Sequence, residues 1–134
     1  MSDTDSVLFA NDAFYQAFAD KDMDAMADLW ANDQPVSCLH PGWGPLLELS
    51  EILSSWAAIL GAPEAPGIRC IRPTVQLHGD VGTVVCFEQL PGGTLVATNI
   101  FVRQGSLWKM IHHQGGPTSV TVREDDAPST GAVH

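Results

Sequence analysis

At Ile68 the chain changes its hydrophobic period, and that switch limits the folds open to it. Upstream, apolar residues recur every three or four positions. Downstream they alternate through four runs, IRCIRPTVQLH, VGTVVCFEQL, GTLVATNIFVR and SLWKMIHHQ, separated only by Gly-Asp, Pro-Gly and Gln-Gly turns. Turns that short join antiparallel neighbours, because a parallel connection needs a crossover of a dozen or more residues. The second half therefore reads as an antiparallel meander. In its first run the apolar parity switches from Ile68 and Cys70 to Ile71, Val75 and Leu77, with Pro73 at the switch, which predicts a bulge that bends the strand. Helices followed by strands give an α+β fold, with N-terminal helices packed on one face of a curved antiparallel sheet.

The helical half divides into three segments. Val7, Ala10, Phe14, Ala17 and Phe18 form one stripe, for which Asp5 or Ser6 is the expected cap. Asp20 or Asp22 caps a shorter helix with Met23, Met26, Ala27 and Trp30 on one side, ended by Asn32 and Asp33. The run PVSCLH, from Pro35 to His40, is a brief edge strand that stops at Pro41-Gly42. Leu49, Ile52, Leu53, Trp56, Ile59 and Leu60 then mark a third helix that stops at Gly61 and Pro63. After Pro117 only TSVTVR could add a short strand extension before a flexible tail. The expectation is one domain over residues 1–134, with an ordered core at about 6–117.

Charge narrows the partners. The formal net charge is −10, and the first thirty-three residues hold eight aspartates against the single Lys21. Such a surface repels phosphate backbones and anionic lipid headgroups, so neither nucleic acid nor a membrane is expected as a partner. Cys38, Cys70 and Cys86 are odd in number, lie in apolar runs and lack C-x-x-C spacing, so they read as reduced core thiols. With no leader-like or membrane-spanning run, the expected location is cytoplasmic.

The order of elements, together with VSCLHPGW (Cys38, His40, Trp43), EILSSW ending at Trp56, ATNIFVR around Asn99, and LWKMIHHQGGP, resembles the SnoaL-like, ketosteroid-isomerase-like branch of the NTF2-like superfamily. The resemblance runs from Phe9 to about Pro117. It departs from the family pattern at Glu48-Leu49, where relatives carry a glycine, and at Gln114, where many carry a histidine. It implies a cone-shaped α+β fold, a homodimer through the outer face of the sheet, and a pocket between the inner face and the helices. It does not imply one reaction, because the superfamily includes isomerases, cyclases, dehydratases and domains without catalysis.

The chemistry-bearing residues are few. Adjacent strand residues face opposite sides, so His112 and His113 cannot both line one pocket. Trp108, Met110 and His112 share a parity that excludes Lys109, which assigns His112 inward, as a catalytic or hydrogen-bonded core residue, and His113 outward. His40 ends the first strand near the pocket mouth, as a catalytic or capping residue. Glu88 follows the apolar run VVCF, either as a buried acid or base of raised pKa or as a surface partner of Arg103 or Lys109. Asn99, Trp30, Trp43 and Trp56 are the candidate ligand contacts, Trp43 foremost because it sits on a loop. Tyr15, the sole tyrosine, lies beside the helical stripe, which argues against the ketosteroid isomerase mechanism. No metal-ligand spacing, nucleophile elbow or cofactor fingerprint is present, so no cofactor and no metal are expected. Two functions fit: an acid–base enzyme of isomerase, cyclase or dehydratase type acting on a small apolar carbonyl compound, or a non-catalytic ligand-binding or dimerisation module.

Overall fold

The structure, a computed structural model, describes residues 1–65 and 67–122. Helix α1 (Asp3–Ala19) starts from Ser2, whose hydroxyl accepts the Asp5 N–H at 3.1 Å. The cap therefore precedes the expected Asp5 or Ser6. Asp3 and Asp5 instead fill the first turn, where negative charge complements the helix dipole. Helix α2 (Met23–Leu29) is capped by Asp22, which accepts the Ala25 N–H at 3.0 Å. It ends before Asn32 and Asp33 because Trp30 is already extended and Ala31 donates its N–H to the Met110 carbonyl at 2.9 Å. Helix α3 (Leu49–Gly61) follows the predicted stripe and stop.

The five strands are β1 (Ser37–Leu39), β2 (Arg69–His78), β3 (Val81–Leu90), β4 (Gly93–Gln104) and β5 (Leu107–Pro117), in the order β1-β5-β4-β3-β2. β2 to β5 form the expected meander, and β1 lies at the edge, parallel to β5. The anticipated bulge in β2 falls at Arg72 and Pro73, where the register shifts between Ile71 and Thr74 and Arg72 takes φ 57°. The described part of TSVTVR, residues 118–122, adds no strand, and the tail from residue 123 onward lies outside the described residues.

A second bulge, which the sequence reading did not anticipate, decides which histidine faces inward. Ile100 lies opposite His112, but the next residue, Phe101, lies opposite Met110, so Ile111 is an extra residue on β5. Trp108 and Met110 are buried before the bulge, and His113 and Gly115 after it. An unbroken alternation through Ile111, the basis of the expectation that His112 faces inward, gives the reverse of the observed arrangement. His113 points inward, and His112 occupies the outer face, half-buried, with its Nδ1 2.7 Å from the Ser37 hydroxyl.

The core lies between the inner face of the sheet and the helices. Val84, Cys86, Ala97, Phe101 and Met110 meet Val7, Phe14 and Phe18 of α1, Met26 of α2, and Ile52, Trp56 and Leu60 of α3. The approach of α1 to β3 requires a glycine, since a Cβ on Gly82 would sit 2.8 Å from a Val7 methyl.

Because Ile111 is the inserted residue, deleting it restores a regular ladder in which Met110 and His113 still face inward. The expected result is a folded protein whose His113 ring stays shielded, read by solvent exchange and pH titration of its NMR signals. Exposure of that ring would contradict the register given above.

Candidate functional site

A cavity of about 270 Å³ lies between α1, α3 and the inner face of the sheet. That is near the lower end of the roughly 300–1,000 Å³ typical of ligand pockets. Its walls are apolar, built from Phe14 and Phe18 of α1, Trp56 and Ile59 of α3, and Ile68, Leu90 and Leu95 from the sheet and its approach. Pro41 and Trp43, both exposed, form the rim on the loop after β1. The polar lining consists of Tyr15, His40, Glu88 and His113.

Behind the cavity Tyr15, Glu88 and His113 join with Asn99 and Asn11 in one buried network. Tyr15 donates its hydroxyl proton to Glu88 Oε2 at 2.6 Å and accepts from the Asn99 amide nitrogen at 3.1 Å. The same nitrogen donates to Asn11 Oδ1 at 2.8 Å. The remaining Asn99 oxygen is 2.6 Å from His113 Nδ1. Asn99 is 0% exposed, Asn11 1%, and Glu88 and His113 3% each, so this is a polar layer within an apolar core. Such layers are tolerated where every member finds its partners. His40 stands apart, its Nε2 2.8 Å from the Ser55 hydroxyl, which donates its own proton to the Ile52 carbonyl at 2.6 Å.

Burial sets the electrostatics. It raises the Glu88 carboxyl above the usual carboxylate range, partly offset by the Tyr15 hydrogen bond. It lowers His113 to about 3, helped by the neighbouring His40 and His112, and it also lowers His40. The aromatic rings crowd the two imidazoles: His113 lies 5.0 Å from Phe14 and 5.7 Å from Trp56, and His40 lies 4.8 Å from both Trp43 and Trp56, between ring centroids. Burial pushes the Cys38 thiol up to about 12, which leaves it no nucleophilic role at neutral pH.

Of the residues singled out from sequence, Glu88, His40, Trp43 and Trp56 line this cavity, and Asn99 anchors the network behind it. Glu88 faces inward, whereas Arg103 pairs with Asp3 and Asp80, and Lys109 with Asp28. His112 does not reach the cavity, for the reason of register given above. Trp30 does not line it either. It is buried at the C-terminus of α2, bridged to Met110.

Tyr15 and Asn11 were missed. The signal was present: they are four residues apart and continue the stripe of Val7, Phe14 and Phe18, so two polar groups stood where an α1 of that register must bury them. Gly115 was also missed. A Cβ there would meet Glu88 Oε1 at 3.1 Å, so the glycine leaves room for the carboxylate. Among the described residues, no group of three or more His, Cys, Asp or Glu side chains is arranged to hold a metal ion. None of the described helices is long and apolar enough to cross a membrane.

The fold has counterparts in known proteins. A candidate dehydratase of the NTF2-like family from Streptomyces avermitilis superposes with a TM-score of 0.80 at 30% identity, covering 88% of this chain and 97% of that one. A candidate calcium/calmodulin-dependent protein kinase type II association domain from Thiobacillus denitrificans gives a TM-score of 0.74 at 28% identity, covering 81% and 92%. In sequence, the F-box protein SKIP8 of Arabidopsis thaliana is 24% identical over 112 residues, which are 82% of this chain. The chain spans about half, 48%, of that protein's length. Residues 7–120 match the SnoaL-like domain, and with the helices packed on a five-stranded sheet the chain belongs to the SnoaL-like family of the NTF2-like fold.

Proposed function

We propose that the domain binds a small, mostly apolar molecule in the cavity and moves a proton on it, with Glu88 as the acid–base group and His113 as the neutral acceptor that fixes the ligand. The single observation carrying this reading is the polar base of an otherwise apolar cavity. Glu88 uses Oε2 on Tyr15 and His113 uses Nδ1 on Asn99. Among the described residues, the only buried side-chain nitrogens or oxygens without a partner are the indole nitrogens of Trp30 and Trp56. Glu88 Oε1 and His113 Nε2 have no hydrogen-bond partner among the described residues, and both residues line the cavity. A buried carboxyl whose pKa is raised suits general acid–base work, and it fits isomerisation, cyclisation or dehydration. His113, held near 3, is a weak base and a better hydrogen-bond acceptor than proton carrier.

The test is exchange of the α-protons of 2-indanone with deuterated water, followed by NMR. Glu88→Gln, which keeps the shape, is expected to lower the catalysed rate by about 100-fold or more. Gly115→Ala, which presses on Glu88 Oε1, is expected to lower it as well. Equal rates in wild type and Glu88→Gln would leave a binding module.

The second reading, a dimerisation or ligand-binding module, draws on the outer face. Val85 and Val96 are exposed there at 45% and 36%, with Phe87 and Ile100 half-buried beside them. A second copy of the chain is the simplest cover for such a face, in either reading. Sedimentation at micromolar concentration should show about twice 14.4 kDa, and Val85→Lys with Val96→Lys should return the monomer. The three free cysteines suit a reducing cytoplasm.

The pH response follows from His113. Its folded pKa, about 3, lies below the 6.5 of an unperturbed histidine, so between these values the unfolded chain binds the extra proton and stability falls as pH falls. The slope from this residue alone is about 1.4 kcal/mol per pH unit. Glu88 opposes it, since its raised pKa gives the folded state the extra proton just above the ordinary carboxylate range. Thermal unfolding from pH 7 to 5 should show the decline, and His113→Phe should reduce it to the part left by His40 and His112, whose pKa values burial also lowers.

A further inference from the structure

The hydrogen-bond bookkeeping around Asn99 fixes which proton His113 carries. The Asn99 amide nitrogen spends its two protons on Asn11 Oδ1 and Tyr15, at 2.8 and 3.1 Å. The group it turns toward His113 is then its oxygen, 2.6 Å from Nδ1. That oxygen accepts only, so Nδ1 bears the proton and Nε2 presents a bare lone pair to the cavity. His40 is fixed by the same logic: the Ser55 proton goes to Ile52, so His40 Nε2 donates to Ser55 and its Nδ1 is left without a proton. Neither ring has a donor left for a ligand. Burial keeps both imidazoles neutral, so neither offers a charge to an anion.

Among the described residues that line the cavity there is no lysine or arginine. A carboxylate or phosphate entering it would lose its hydration and meet no cation, beside a Glu88 carboxyl that is itself costly to ionise. A carbonyl oxygen set against His113 Nε2 would place acceptor against acceptor. A hydroxyl in the same position donates to Nε2 and keeps its own lone pairs for other contacts. The flat walls supplied by Phe14, Trp56 and Phe18 suit a ring.

We propose that the cavity selects an uncharged cyclic hydroxyl compound, a phenol or the enol form of a cyclic ketone, whose O–H donates to His113 Nε2. This rests on the pocket reading above and refines it, replacing the carbonyl group expected from sequence by its hydroxyl tautomer as the group that His113 holds. Asn99 is then a positioning residue, acting on the ligand through the tautomer it imposes.

The experiment is calorimetric titration of the full chain at neutral pH with four bicyclic probes of one skeleton: 5-indanol, 5-methoxyindane, indane-5-carbaldehyde and indane-5-carboxylate. The alcohol is expected to bind roughly tenfold more tightly than the ether or the aldehyde, the difference a neutral hydrogen bond makes in a poorly solvated site. The carboxylate should be weakest. The preference should vanish in His113→Phe and persist in His112→Phe, which alters only the outer face. Nitrogen-15 NMR of the unliganded wild type should show the Nδ1-protonated form of His113, a readout that does not depend on any variant folding. An ether or aldehyde that matches the alcohol, or an Nε2-protonated ring, would overturn the hydroxyl preference while leaving the pocket reading in place. A carboxylate that binds tightest would do the same. Failure of all four probes to bind would overturn both.

Discussion

Asn99 is a buried amide that joins the helical layer to two strands of the sheet by hydrogen bonds. It sits mid-strand on β4, fully buried, and reaches Asn11 and Tyr15 on α1 and His113 on β5. A buried amide left without partners costs about 1–3 kcal/mol for each unsatisfied group, so α1 can settle on the sheet in few ways that leave Asn99 paired. Apolar contacts such as Phe14 against Trp56 supply attraction without direction, whereas the amide supplies the direction. The same bonds that fix the rotation of α1 also fix the ring of His113 and, through Tyr15, the carboxyl of Glu88. Structural precision and the polar base of the cavity therefore have one origin.

The fold was legible because each of its signals is local. A helical stripe, a Gly-Pro stop and a two-residue turn are readable within a dozen residues, and the order of helices and strands then leaves one α+β arrangement. Even the β2 bulge announced itself, through a proline at a parity switch. The β5 bulge gave no such sign. Ile111 is apolar between Met110 and His112, so an uninterrupted alternation through it reads as well as a broken one, and only pairing with β4 shows which holds. That single residue separates a correct placement of the histidine from its reverse.

The polar part of the site was legible where a polar residue ended or interrupted an apolar strand, as Glu88, Asn99 and His40 do. The spacing of Tyr15 and Asn11 marks them as buried but not as part of a site. A stripe dominated by Val7, Phe14 and Phe18 reads as plain core, and nothing in α1 itself reveals that partners for two polar groups arrive from strands more than seventy residues later. Trp30 shows the limit of residue type as a guide. It is as apolar and as buried as Trp56, yet its position at the end of α2 sends it to Met110 instead of the cavity.

The parallel pairing of β1 with β5 has a consequence for how the chain is made. Ser37, Cys38 and Leu39 find their hydrogen-bond register on His112, His113 and Gln114, so, apart from the local bridge of Cys38 to Leu46, the edge strand has no partner until the last strand of the meander exists. During synthesis, α1, α2 and β1 leave the ribosome with their inward faces, including Tyr15 and Asn11, still waiting for β3, β4 and β5. Long-range pairing of this kind delays folding and leaves apolar surface uncovered in the interval. The eight aspartates among the first thirty-three residues lie in the segment that waits longest. Like charges repel, so the acidity of this amino-terminal quarter disfavours association of copies whose apolar faces are still uncovered.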